Sequence, residues 1–251
     1  MCLTSNIYAQ DDNSKSEYRY WSFIAGMNHG FGSSVDDNNS ILMHTDKGDM
    51  YRKGAGGGYV PGYQVGFLYH YDFKNNKTGI VAGLEYTSYG FKNKYETLEN
   101  NLYTMKETYR ATAVCVPILL KFGTGDIYRD MKYFTIGVKA YYNIGVSKGE
   151  TCDWDEGGSF GEKLEGDALS NISLAGVLGF NIKMFSFNIN YQFKGFINDG
   201  AKATVDGVEM KPYSHLGGGH LFFCTSLNVP MTRWLSVNNW QAEKMRRKLH
   251  K

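Results

Sequence analysis

No stretch of this 251-residue chain approaches the roughly twenty consecutive apolar residues that a membrane-spanning helix requires. The longest apolar run, residues 113–120, is interrupted by Pro117, so insertion as a helix is excluded. Proline is scarce: four residues stand against thirty glycines, nineteen tyrosines and fifteen phenylalanines. That balance favours strands joined by tight turns, because aromatics fill strands and glycine supplies turns and bulges. Cysteine is equally sparse. Cys2 falls in a segment expected to be removed, which leaves Cys115, Cys152 and Cys224, an odd number that argues against a disulfide framework. Cys115 and Cys224 lie in predicted strands, where they serve as small buried side chains. Charge of one sign is also lacking, and a net +2 gives no argument for nucleic acid.

Chemistry-bearing motifs are thin. There is no G-x-S-x-G sequence, and the glycine runs at 54–58 and 217–219 lack the Lys-Ser or Lys-Thr of a phosphate loop. Asp153, Asp155 and Glu156 lack the spacing of an EF-hand and read as a solvated acidic loop. His29, His44, His70, His215 and His220 are scattered, and His215 beside Ser214 has no catalytic meaning without spatial convergence. They are expected to be satisfied surface or interior residues. No catalytic residue, cofactor or metal is therefore expected, and the chain reads as no enzyme.

What is present is alternation. In residues 184–194, Phe185, Phe187, Ile189, Tyr191 and Phe193 share one face of a strand, while Ser186, Asn188, Asn190, Gln192 and Lys194 share the other. The same pattern returns along the chain with aromatics dense on its apolar side. It predicts a strand that separates hydrocarbon from a polar interior, the mark of a transmembrane β-barrel. A mean hydropathy of −0.40 is compatible with this, since only alternate strand residues need be apolar. Eight strands account for the chain, at about 18–31, 62–73, 78–91, 108–122, 132–146, 169–182, 184–194 and 218–229. The expected fold is all-β, an eight-stranded antiparallel up-and-down transmembrane barrel, because an open edge would leave backbone groups unpaired in hydrocarbon.

The connections after the first, third, fifth and seventh strands are long and the others short. Bacterial barrels keep short turns in the periplasm, so this predicts external long loops and two periplasmic termini. Four regions follow: 1–10 as the remnant of an export signal ending near Ala9, 11–17 as a polar leader, 18–230 as the barrel, and 231–251 as a basic amphipathic tail with a short helix. In that tail, Trp234, Trp240, Arg246, Arg247 and Lys248 are candidates for contact with anionic lipid or a periplasmic partner.

The segment Gly83-Leu84-Glu85-Tyr86-Thr87-Ser88-Tyr89-Gly90-Phe91-Lys92 resembles the E-L-x-Y-S-x-x-G-x-K strand of the PorT-like outer-membrane β-barrel family of Bacteroidetes. Residues 109–122, YRATAVCVPILLKF, are similar to that family's next strand, usually Y-L-x-I-P-L-L-L-K-Y, with the polar Arg110-Ala111-Thr112 as a departure. Gly26-Met27-Asn28 and residues 62–67 fit the same layout. The resemblance implies an outer-membrane location and, for some members, a part in type IX secretion or gliding.

Eight strands enclose a lumen just wide enough for side chains, so no open channel is expected. Its predicted polar set includes Asp72, Glu85, Lys121, Lys139 and Lys194, with Glu85 paired to Lys139 or Lys121, because a lone buried charge is costly. The expected function is a non-enzymatic outer-membrane barrel that acts as a structural or interaction component, meeting lipid and a periplasmic or outer-membrane protein. The alternative is a module whose external loops, chiefly 33–60 and 197–217, bind an extracellular ligand or surface, with an outer-membrane enzyme ranked last because it needs histidines and carboxylates or hydroxyls converging at the outer rim.

Overall fold

The structure, a computed structural model, describes residues 19–30, 43–45, 48–52, 59–73, 78–97, 103–124, 132–153, 159–164, 168–205, 208–210, 216 and 220–231. In chain order the described strands are β1 (Arg19–Gly30), β2 (Met43–Thr45), β3 (Gly48–Arg52), β4 (Val60–Asp72), β5 (Thr78–Thr97), β6 (Thr104–Thr124) and β7 (Lys132–Cys152). They continue with β8 (Ser159–Leu164), β9 (Ile172–Ile182), β10 (Phe185–Lys194), β11 (Ala203–Val205), β12 (Val208–Met210) and β13 (His220–Pro230).

Eight of these form a ring. The order runs β5-β4-β1-β13-β10-β9-β7-β6, and β6 returns to pair with β5. Every pairing in the ring is antiparallel, and the first and last strands lie side by side with Ala25 opposite Leu227. The fold is an eight-stranded up-and-down β-barrel, and each of its eight strands overlaps one that the alternation predicts. Alternation explains the wall: Trp21, Phe67, Leu84, Ile118, Tyr142 and Phe187 face out, while Ser22, Leu68, Glu85, Lys139 and Asn188 face in and are buried. The β9–β10 hairpin turns at Lys183 and Met184, where Lys183 adopts the left-handed conformation at φ 55°.

Three strands overshoot the barrel. β5, β6 and β7 are 20, 21 and 21 residues long, whereas β1 and β10 have 12 and 10. The charged stretch after Phe91, expected as a loop from 92, instead continues β5 to Thr97, and β7 runs on past Val146 to Cys152. Pairing persists there because backbone hydrogen bonds do not need an apolar outer face. Beyond the ring, β3 adds to β5 at Arg52–Tyr95, β2 adds to β3, and β8 adds to β7 from Val146–Leu164 upward. The result is a six-stranded sheet, β2-β3-β5-β6-β7-β8, rising from one side of the barrel rim.

Candidate functional site

The lumen is filled in levels. Nearest the short-turn end, Lys121 Nζ lies 2.8 Å from Asp72 Oδ2, 5.3 Å from the Tyr20 ring centroid and 4.8 Å from that of Tyr133. Buried His70 stacks on Tyr20 at 4.3 Å and meets Ser22 Oγ at 2.9 Å through Nε2. Gly79 stands between Asp72 and Lys121 in register, and a Cβ there would sit 2.5 Å from Asp72 Oδ1. The missing side chain is what lets β4 and β6 exchange an ion pair across β5.

An apolar layer of Ile24, Leu68, Val81, Leu119 and Val177 follows. Above it Lys139 Nζ reaches Glu85 Oε2 at 2.7 Å, with side-chain exposures of 4% and 2%. A cavity of about 20 Å³ between these levels is lined by Leu119, Thr135, Lys139 and Asn228 among others, which is room for one water. At the long-strand end the lumen is stoppered by aromatics. Tyr89 stacks on Phe222 at 5.3 Å, Phe91 on His220 at 4.1 Å, and Phe196 reaches back from beyond β10 to within 5.3 Å of Tyr89. Tyr89 Oη also donates to Asn143 Oδ1 at 2.9 Å and accepts from Gln192 Nε2 at 3.2 Å. A lumen packed in this way has no room for a diffusing solute.

The sequence-predicted lumen set divides accordingly. Asp72, Glu85, Lys121 and Lys139 lie in the two ion pairs, and Glu85 takes Lys139 as its partner. Lys194 is a correction: it is exposed rather than lumenal, because a β-bulge between Gln192 and Lys194 shifts the strand's register at its end. Trp234, Trp240, Arg246, Arg247 and Lys248 lie outside the described residues, as do the tail and leader expected around the barrel. Tyr20, Tyr133 and Phe196 were missed. Phe196-Ile197 just after β10 was the available signal, an apolar pair where a polar loop should begin.

The described histidines do not converge: His70 lies at one end of the lumen, His220 at the other, and His29 on the outer wall, where its ring nitrogens meet Tyr59 Oη and Thr225 Oγ1, each at 2.9 Å. Among the described residues no three His, Cys, Asp or Glu side chains come together as metal ligands.

The protruding sheet has two unlike faces. On the face continuous with the lumen, buried Glu107 accepts from Tyr95 Oη at 2.7 Å and Tyr109 Oη at 3.1 Å through Oε2, and its Oε1 lies 2.8 Å from Lys148 Nζ. Burial alone would lower the Lys148 pKa, but the Glu107 carboxylate, joined by Glu150, overrides it and holds the ammonium above its ordinary value. The opposite face carries Lys92, Lys94, Lys106 and Arg110 at outward register positions. The geometry is that of a barrel filled by its own side chains among the described residues, with its wall continued on one side by a protruding sheet.

A family model described as an outer membrane protein beta-barrel domain matches residues 8–199. No curated protein matches the chain. Similar solved structures include the attachment invasion locus protein Ail of Yersinia pestis, 12% identical over 83% of this chain and 98% of that one at a TM-score of 0.32. The same protein in complex with the heparin analogue sucrose octasulfate is 14% identical over 84% and 98%, at a TM-score of 0.28.

Proposed function

The chain belongs to the outer membrane protein beta-barrel domain family, and from that premise we propose that it is a non-enzymatic interaction barrel that binds a ligand or surface outside the cell through its protruding sheet. The observation that carries this reading is the overshoot of β5, β6 and β7 at the long-strand end, where the last residues of β5 and β7 and the first of β6 add nothing to spanning a bilayer that the 10-residue β10 already crosses. In the same reading the long-strand end is extracellular and both termini are periplasmic. Residues 1–10 close an export signal, 11–17 form a leader, and 231–251 form a basic periplasmic tail.

Two measurements test it. Lys106→Cys on intact cells should react with a membrane-impermeant maleimide; labelling only after the outer membrane is breached would reverse the orientation. Replacing residues 92–108 with a short turn should leave a folded barrel that no longer binds its ligand or host surface. Binding that survives this trimming but is lost on deleting 231–251 would move the function to the tail.

A second reading places the chain in the PorT-like group, with a role in a secretion or gliding assembly. It rests on the resemblance of residues 83–92 and 109–122 to that group's strands. Stoichiometric co-purification with periplasmic secretion components in mild detergent would favour it.

A further inference from the structure

Two small residues leave a gap in the lipid-facing wall. Ala25 on β1 lies opposite Leu227 on β13, and Thr225 on β13 lies opposite Met27 on β1 and Phe187 on β10. Larger outward side chains stand around them: Met27, Phe180, Phe185 and Phe187, with Phe185 68% exposed. Together they shape a groove of about 470 Å³. Of its outward lining residues only Thr225 carries a hydroxyl, and that is engaged by His29 Nε2 at 2.9 Å. The groove therefore offers a ligand hydrocarbon and nothing else.

Its place in the wall fixes its depth. Ile182 and Phe185 both line it and lie opposite one another on either side of the Lys183–Met184 turn, so one end opens at the short-turn rim. The other end reaches Ala25, four positions along β1 from Trp21, whose ring packs on that of Tyr69 at 5.1 Å. Outward Trp and Tyr mark the headgroup level, and four residues rise roughly 10 Å at about 3.4 Å each on a strand tilted by about 40°. The groove thus runs from headgroup level into the hydrocarbon of a single leaflet. Two cations stand at its open end. Lys132 is outward and opposite Ile182, Lys183 follows Ile182 directly in the turn, and both are exposed. Neither has an acidic partner among the described residues.

We propose that this groove is a seat for one acyl chain of an anionic phospholipid, whose phosphate is held at the rim by Lys132 and Lys183. The site matches that molecule from end to end: two cations at headgroup level, then a channel with no free outward polar side chain. Phosphate oxygens accept charge-assisted hydrogen bonds from both ammonium groups. Size agrees as well. A methylene takes about the volume of a water, roughly 30 Å³, so the 470 Å³ of the groove suits one chain and is too little for two. The seat lies at the opposite end of the barrel from the protruding sheet, and it stands whichever end faces out of the cell.

The test uses the full chain in phosphatidylcholine nanodiscs that hold a minority of phosphatidylglycerol, read by native mass spectrometry of the lipid retained on release from the disc. Phosphatidylglycerol should be retained in preference to phosphatidylcholine. Lys132→Gln with Lys183→Asn should weaken that retention about thirtyfold; asparagine suits position 183 because it accepts the left-handed backbone there. Ala25→Phe should fill the groove and remove the retained lipid, whereas Ala82→Phe, outward on β5 and outside the groove, should leave it in place. The seat is refuted if the double lysine variant holds phosphatidylglycerol like the parent, or if the two phenylalanine variants behave alike. A protein dimer retained in place of lipid, and lost in Ala25→Phe, would also refute it and give the groove to a second copy of the chain.

Discussion

Lys139 Nζ lies 2.7 Å from Glu85 Oε2 across the lumen, joining β7 to β5 over the intervening β6, and neither side chain has appreciable contact with water. Each charge tolerates burial because of the other. Lys139→Met should therefore cost about 3–5 kcal/mol by leaving Glu85 alone, whereas Lys139→Met combined with Glu85→Leu should recover most of that loss. Urea unfolding in bilayers measures both; a double variant as unstable as the single one would mean that the pair is not the source of the effect.

Gly79 makes the second ion pair possible. Gly79→Val places its side chain against Asp72 Oδ1 and the Tyr71 carbonyl, with first contacts at 2.5 and 2.6 Å, and should destabilise the barrel by roughly 1–3 kcal/mol through overpacking. Ala82→Val, three residues along on the lipid side of the same strand, should be close to neutral. Equal losses at the two positions would refute the role given to the glycine.

The Glu107–Lys148 pair predicts an alkaline weakness in the protruding sheet. The Lys148 pKa is raised in the folded state above its ordinary 10.5, so the pair's contribution is complete below that value and is lost as pH rises through the higher folded one. Limited proteolysis across that range should open the sheet before the barrel, and Glu107→Gln should abolish the pH step. A sheet whose cleavage rate does not change on alkalisation would contradict this.

Ile118 is 56% exposed on the lipid-facing wall. Ile118→Arg should cost roughly 2–4 kcal/mol near the bilayer midplane, against about 0–1 for Tyr142→Arg near the interface. Unfolding in bilayers reads the difference, and a larger loss at Tyr142 would displace the membrane band assigned to the wall.

The barrel was legible because its wall carries a two-residue period from Trp21 to Val229. Strands such as 62–73 and 184–194 differ from β4 and β10 by no more than two residues at either end. The protruding sheet was not legible, since the outward apolar residues stop at Tyr86 and Ile144 while the pairing continues. Its trace is the charged row Lys92, Lys94 and Glu96, which has the period of a strand but the composition of a loop. The lumenal charges followed from the same inward parity, and Lys194 failed at the point where a bulge broke that parity. Phe196 was hidden for another reason: a residue outside a strand has no parity from which its direction can be read.

The β5–β6 ladder runs in one register from Thr78–Phe122 at the short-turn end to Glu96–Thr104 at the tip, and no hinge separates wall from sheet. A pull on the tip is therefore directed along the strands, loading many backbone hydrogen bonds together in shear instead of peeling them apart singly. The sheet is a stiff rib in one piece with the membrane-spanning wall, so a load on the tip is carried by the wall's own ladder.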